Sequence, residues 1–295
     1  MPIPAVAAAI GSAVILALAA AQPLAAQQQS AGGSVAADAP AGQSAAGQIA
    51  EAMRLPEIFS IMADEGGEYG RTLEESMFPG SGGVRWAADV ARIYDAGRGY
   101  LRFREGFDRR LSGSAHLAEI EAFLTGELGR KVVELEVSAR RALLDDAVEE
   151  AARMKLAELA ARGDPKYALV QEFIAANDLI ESNVVGGLNA AREFYLGLAD
   201  GGAFDGEMTE EQILQDVWSQ EPDIRAETEG WIGALLSVAF APLSDDELLR
   251  YIAFSRSPAG RDLNRALFAA FDESFLALSR ELGLAAAKYI VGQTL

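Results

Sequence analysis

Apolar residues recur at steps of three and four along most of this chain, which is the spacing of one buried helical face. The clearest run follows Pro258, where the recurring positions are Leu263, Leu267, Ala270, Phe271, Phe275, Leu278 and Leu282. The chain from Ile49 onward is rich in Leu, Ala, Glu and Arg and has little of the alternating pattern typical of strands. We therefore predict an all-α fold, a helical bundle in which each helix buries its apolar face against others.

Several helix ends are predicted by local capping patterns. Residues 244–247 (Ser-Asp-Asp-Glu) and 209–212 (Thr-Glu-Glu-Gln) have the form of a capping box, in which two side chains satisfy free backbone amides. Ser257-Pro258 is typical of an N-cap followed by the first helical residue. We expect the helix that begins there to end at Gly283.

A second long helix is predicted over residues 132–161. Its charged side chains, among them Arg140, Arg141 and Asp145, predict a solvated polar face with pairs four residues apart. The sequence Gly-Asp-Pro at residues 163–165 then breaks the pattern. We place there the boundary between an N-terminal helical half, residues 48–163, and a C-terminal helical half, residues 164–295.

The two halves share a short sequence pattern. Residues 254–261 (Phe-Ser-Arg-Ser-Pro-Ala-Gly-Arg) and residues 123–130 (Phe-Leu-Thr-Gly-Glu-Leu-Gly-Arg) keep the same spacing from Phe to Gly, 131 positions apart. Two copies at so long a period indicate a duplicated domain rather than a solenoid. The predicted architecture is therefore a bundle of two similar halves that a duplication would explain.

The N-terminal segment predicts export. Residues 1–26 contain no charged side chain, are apolar from residue 5 to 21, and end in small residues before Gln27. This pattern is typical of a cleaved signal peptide, and it places the mature protein in a bacterial periplasm or cell envelope. An uncleaved membrane tether is the alternative. Residues 27–47 are mostly Ala, Gln, Ser and Gly and predict a disordered linker.

Composition excludes several classes of protein. The chain has no cysteine and one histidine, which leaves no disulfide, no thiol nucleophile and too few ligands for the common zinc and di-iron sites. A net charge of −19 disfavours nucleic acid as a partner. No segment after the signal is long and apolar enough for an integral membrane domain.

No catalytic motif is recognisable. The chain lacks Gly-x-Ser-x-Gly and Ser-x-x-Lys, Ser257 is interpreted as a helix cap, and His116 as a surface or capping residue. We therefore predict no catalytic, cofactor-binding or metal-binding residues and a non-enzymatic binding or interaction module. A hydrolase or lyase that assembles Asp and Glu from distant parts of the sequence is the alternative.

One segment is basic in an otherwise acidic chain. Residues 98–110 hold five arginines and only two acids, with Tyr100, Phe103 and Phe107 at helical spacing. An amphipathic helix with an aromatic core face explains this pattern. The more specific hypothesis is an anion- or partner-binding surface near a cleft between the halves. Its residues would be Arg98, Arg102, Arg104 and Arg109. The expected partner is an unknown protein or a small hydrophobic or anionic ligand.

The sequence from Asp245 to Phe254, followed by Ser257-Pro-Ala-Gly260, resembles the bacterial envelope family catalogued as domain of unknown function 2059. Phe254, Ser257, Pro258 and Gly260 match its pattern, whereas Ser255 stands where that family often has an aromatic residue. The resemblance implies an exported all-α domain without an established activity, and it gives these four residues a structural role.

Overall fold

The computed structural model describes residues 44–204 and 208–292, and these residues form an all-α bundle without strands. The predicted signal peptide, residues 1–26, and most of the predicted linker lie outside the described residues. The helices are α1 (Ala45–Ala52), α2 (Leu55–Met77), α3 (Gly83–Ile93), α4 (Ala96–Leu111), α5 (Leu117–Thr125), α6 (Glu127–Ala142), α7 (Asp146–Arg162), α8 (Pro165–Ala176), α9 (Leu179–Asp200), α10 (Glu210–Ser219), α11 (Glu221–Phe240), α12 (Asp245–Ser255) and α13 (Pro258–Gly292).

The first described helix, α1, begins before the predicted end of the linker at residue 47. The Ser44 hydroxyl accepts a hydrogen bond from the Gly47 amide at 3.0 Å and caps the helix. Ala46, Ile49 and Ala50 are buried, and α1 packs against α5. The helix therefore takes in Ala45 to Gly47 because a cap and a packed face are available, although the local composition is linker-like.

The predicted capping patterns are confirmed. Both capping boxes form, at Ser244 with Glu247 and at Thr209 with Gln212. The Ser257 hydroxyl accepts a hydrogen bond from the Gly260 amide at 3.1 Å, so it caps α13 as expected. These ends were predictable because each depends on side chains within one turn of the sequence.

Two predictions about helix length were wrong. The helix expected over residues 132–161 is interrupted, because α6 ends at Ala142. The Asp145 carboxylate then caps the start of α7 by accepting a hydrogen bond from the Ala147 amide at 2.9 Å. The end expected at Gly283 does not occur, and α13 continues to Gly292. A Cβ at Gly283 would lie 2.1 Å from the Phe194 carbonyl oxygen, so this glycine permits α13 to cross α9 closely.

The helices form two series, the first from α1 to α7 and the second from α8 to α13, and helices of similar length follow in the same order in both. Both α2 and α9 begin after a residue with positive φ, Arg54 at 55° and Asp178 at 49°. Later in each series, α6 and α7 together span residues 127–162, and the unbroken α13 spans residues 258–292. Contacts are exchanged between the series, because α4 packs on α13 while α11 packs on α6 and α7.

The Phe-to-Gly segments occupy matching local structures. A Cβ at Gly129 would lie 2.0 Å from the Phe123 carbonyl oxygen, and a Cβ at Gly260 would lie 2.2 Å from that of Phe254. The two phenylalanine rings stack on each other, with centroids 3.7 Å apart and planes 4° from parallel. The segments therefore meet at the junction of the two series, which is the position expected for a local two-fold relation. The duplication itself stays a prediction.

Two apolar clusters fill the bundle. The larger joins both series and includes Phe103, Phe107, Phe173 and Phe240. The smaller cluster lies between α3, α9, α10 and the ends of α2 and α13, around Trp86 and Phe194. Because the larger cluster continues through both series, the two sets of helices share one core rather than folding around separate ones.

Candidate functional site

The arginines of α4 are engaged by carboxylates of the same chain. Arg98 and Arg102 both donate to Glu281 of α13, at 2.5 Å and 2.9 Å respectively. Arg109 donates to Glu273 at 2.8 Å, and Arg104 donates to Asp108 at 3.0 Å. Each positive charge is thus offset within the fold.

The opposite face of α4 is the core face that the amphipathic pattern predicted. Phe103 and Phe107 are fully buried, while Arg98 and Arg102 line a small recess of about 20 Å³ next to α13. Arg104 and Arg109 line neither this recess nor the two larger cavities described below. The four arginines therefore do not converge on one cavity, and an anion would have to compete with the carboxylates that already hold them.

A larger cleft opens between α2, the α6–α7 junction and α11. Its volume is about 310 Å³, and we call it the α2–α7 cleft. Its apolar lining includes Met62, Tyr69, Leu143, Trp231 and Phe275. Because Met62 and Tyr69 come from the first helix series and Trp231 and Phe275 from the second, the cleft lies between the two series, but it is lined by none of the four arginines of the predicted surface.

The interruption between α6 and α7 explains why this cleft exists. After the break, α7 packs on α11, where Gly230 and Gly233 leave room for Arg153 and Leu156. In the second series the corresponding α13 does not break, and it packs directly along α9 at the Gly283 crossing. The space that α13 fills beside α9 is thus left open beside α2.

A buried ion pair forms the floor of the cleft. The Arg140 side chain is only 1% exposed, and its Nε and Nη2 donate to the two Glu65 carboxylate oxygens at 3.0 Å and 2.7 Å. The same guanidinium lies 5.6 Å from the centre of the Trp231 ring, within the range of a cation–π interaction. This two-point geometry fixes the guanidinium in one orientation.

Two tyrosines complete the wall next to α2. The Tyr94 ring lies directly on Gly66, where a Cβ would come within 2.1 Å of the ring. Burial raises the pKa of Tyr69 and of Tyr94 well above the ordinary value for a phenol. Both phenols therefore stay neutral, and they give the cleft aromatic surface without adding charge.

The rim of the cleft is acidic. Its carboxylates are Glu65, Glu68, Asp146, Glu149 and Glu227. Glu65 is neutralised by Arg140 and Glu68 by Arg71, whereas Glu149 and Glu227 share the single Arg153. Asp146 forms no ion pair within the part of the chain that the structure describes. The wall formed by α7 and α11 therefore carries surplus negative charge.

Sequence reasoning did not predict this site, and it was wrong about Arg140. That residue was assigned to a solvated face, but it is almost fully buried. A signal was present, because Val133, Glu136, Val137 and Arg140 recur at the three- and four-residue steps of a core face. A charged residue within such a stripe indicates a buried polar network, which is more informative than its exposed neighbours.

Among the described residues, Glu136 and Asp272 are the carboxyl groups whose pKa values are raised most, and they lie in different places. Burial raises the pKa of Glu136 to about 8, and this carboxyl lies in the core, where it accepts a hydrogen bond from Tyr251 at 2.9 Å. Burial also raises the pKa of Asp272 to about 6, and this residue lines a shallow groove of about 830 Å³ beside Arg110 and Arg280. The two groups do not form a carboxylate pair in a shared cavity.

Histidine, aspartate and glutamate side chains form no group of three placed to hold a metal ion in residues 44–204 and 208–292. In the same residues, no helix combines the length and the apolar character that a membrane crossing requires.

The comparisons with protein-family models, with curated proteins and with solved structures gave no match for this chain.

Proposed function

We propose that the protein is an exported, non-enzymatic binding module of the periplasm or cell envelope, and that a small ligand occupies the α2–α7 cleft. The observation that carries the proposal is a cleft of about 310 Å³ with apolar and aromatic walls and a fixed ion pair at its floor. Small-molecule sites have this composition, in which apolar surface supplies affinity and a few oriented polar groups supply selectivity.

The ion pair itself supports a role beyond stability. Burying a charged pair costs desolvation energy that an apolar pair of the same size would not cost. At the matching position of the second series, 131 residues on, the chain places Phe271, which packs on Phe59 and Phe103. An apolar residue is thus compatible with this kind of position, and the Arg140–Glu65 pair is better explained by the cleft that it supports.

Localisation and architecture enter the same proposal. The uncharged apolar segment at residues 1–26 supports export, and the acidic composition gives no support for nucleic acid as a partner. The stacked Phe123 and Phe254 and the repeated helix order support two duplicated halves. In this account one half kept an unbroken final helix, and the other gained a break that opened the cleft.

A thermal-shift screen of a metabolite library tests the proposal. At least one small molecule is expected to stabilise the wild-type protein but not Leu144→Trp, because Leu144 lines the cleft and an indole would occupy it. Thr72→Trp, on the α2 side, gives a second block if the first variant folds poorly. Met154→Trp is the matched control, since Met154 is an exposed apolar residue of α7 outside the cleft. Ligands that stabilise all four proteins equally would contradict the proposal.

A further inference from the structure

We propose that the ligand of the α2–α7 cleft is an organic cation, with an ammonium group attached to a compact apolar body. This inference rests on the proposed function, and it adds the chemical class of the ligand. Charge, burial and the geometry of the walls each contribute to it.

The charge of the cleft favours a cation. Five carboxylates line it, and the three guanidiniums that pair with them leave two negative charges uncompensated. Both of these lie on the same wall, one at Asp146 and one shared by Glu149 and Glu227. An ammonium group at this wall would approach two carboxylate centres at once, while the net charge of −19 would raise the local concentration of cations.

An anion is disfavoured by the state of the one guanidinium at the floor. Two Arg140 nitrogens are held by both oxygens of Glu65, and the guanidinium carbon lies 5.6 Å from the centre of the Trp231 ring. With 1% of its side chain exposed, Arg140 presents almost no surface to an incoming carboxylate. A bound anion would need Glu65 to move away and would then meet the acidic wall at close range.

The remaining walls define the apolar body. Met62, Tyr69, Leu143 and Phe275 add aromatic and aliphatic surface to the same cleft. Tyr69 stays uncharged, because burial keeps the pKa of its phenol high. The cleft therefore combines apolar surface with surplus negative charge, and a ligand such as an aralkylamine combines an apolar body with a positive charge.

Three small molecules with one shared body provide the test. Phenethylamine, 2-phenylethanol and 3-phenylpropionate are cationic, neutral and anionic at neutral pH, and isothermal titration of the full exported protein gives the affinity for each. We expect phenethylamine to bind at least about fivefold more tightly than the alcohol, which is the scale of one partly exposed charge interaction. We also expect added salt to weaken the binding of the amine alone.

Variants locate the effect at the acidic wall. Asp146→Asn is expected to weaken phenethylamine binding by about threefold to fivefold and to leave the affinity for 2-phenylethanol unchanged. Glu150→Gln is the control, because Glu150 is an exposed acid of the same helix that does not line the cleft. Leu144→Trp is expected to reduce binding of all probes that enter the cleft.

The outcomes separate the two proposals. If 2-phenylethanol or 3-phenylpropionate binds more tightly than the amine, and Leu144→Trp blocks that binding, the proposal of a cationic ligand is wrong. The proposal that the cleft binds a small molecule is then retained. Undetectable phenethylamine binding at millimolar concentration also overturns the proposal of a cationic ligand. The library screen tests independently whether the cleft binds a small molecule, since it includes ligands of every charge.

Discussion

At the scale of single residues, Glu136 is the most unusual ionisable group of the core. Its carboxyl accepts one hydrogen bond from Tyr251, and its other oxygen has no hydrogen-bond partner among residues 44–204 and 208–292. Burial raises its pKa from 4.5 to about 8, so the folded state holds the proton more tightly than the unfolded state does. Stability from this residue is therefore complete below about pH 4.5 and is lost as the pH rises toward 8.

The variant Glu136→Gln should remove this pH dependence while keeping an oxygen that accepts from Tyr251. Urea unfolding between pH 5 and pH 8 is expected to show a loss on the order of 1 kcal/mol per pH unit in the wild type and a flatter profile in the variant. Glu150→Gln, an exposed change on α7, is the control and should follow the wild type. Parallel profiles for wild type and Glu136→Gln would show that Glu136 is ionised in the folded protein at neutral pH.

Arg140 and Glu65 should depend strongly on each other. Removing one partner leaves a poorly solvated charge, so Arg140→Leu is expected to lower the free energy of unfolding by about 3 kcal/mol. Adding Glu65→Leu should recover most of that loss, because the stranded carboxylate is then also removed. If the double variant is as unstable as Arg140→Leu, the pair is needed for the stability of the fold. That result would contradict the interpretation that the pair is present for the ligand site.

At the scale of helices, α9 and α13 cross with their backbones in close contact. Gly197 and Gly283 face each other there, and a Cβ at Gly197 would lie 2.5 Å from the Arg280 carbonyl oxygen. Neither backbone can yield as a flexible side chain would. The crossing therefore depends on glycine at both positions.

The substitution Gly283→Ala is expected to lower the free energy of unfolding by about 2–4 kcal/mol, since the added methyl group overlaps the Phe194 carbonyl oxygen. Gly67→Ala is the matched control within a helix, because nothing lies within 4 Å of a Cβ there. That variant should stabilise the protein by about 0.5–1 kcal/mol through helix propensity. Chemical denaturation measures both, and equal effects would contradict the close crossing.

Some features of the helices could be predicted from the sequence, and others could not. The starts at Ser244 and Ser257 and the amphipathic face of α4 were predictable, because capping and periodicity depend on neighbours within a few turns. The break after Ala142, the continuation through Gly283 and the burial of Arg140 were not predictable. Gly283 crosses the distant helix α9 and Arg140 pairs with the distant Glu65, so contacts far apart in sequence determine these two outcomes.

At the scale of the whole molecule, a repeated helix order is combined with one asymmetric feature, the break between α6 and α7. The two series meet at the stacked Phe123 and Phe254. Helices α6 and α7 pack on α11, and α13 packs on α4 as well as on α9. Neither series would therefore bury its apolar surface alone. The acidic cleft lies between α2 and α7, where the first series has a break that the final helix of the second series lacks. The resemblance carried by residues 245–260 stays a prediction, and it adds no ligand to this account.

Native mass spectrometry of the protein isolated gently from its host cells would show whether the α2–α7 cleft holds a small molecule. We expect a wild-type species that carries the mass of one small molecule, reduced or absent in Leu144→Trp and retained in Met154→Trp. The bound molecule should carry a positive charge when it is released and identified. A wild-type protein that never carries a small molecule, or one whose bound molecule is unaffected by Leu144→Trp, would contradict a ligand site in the α2–α7 cleft.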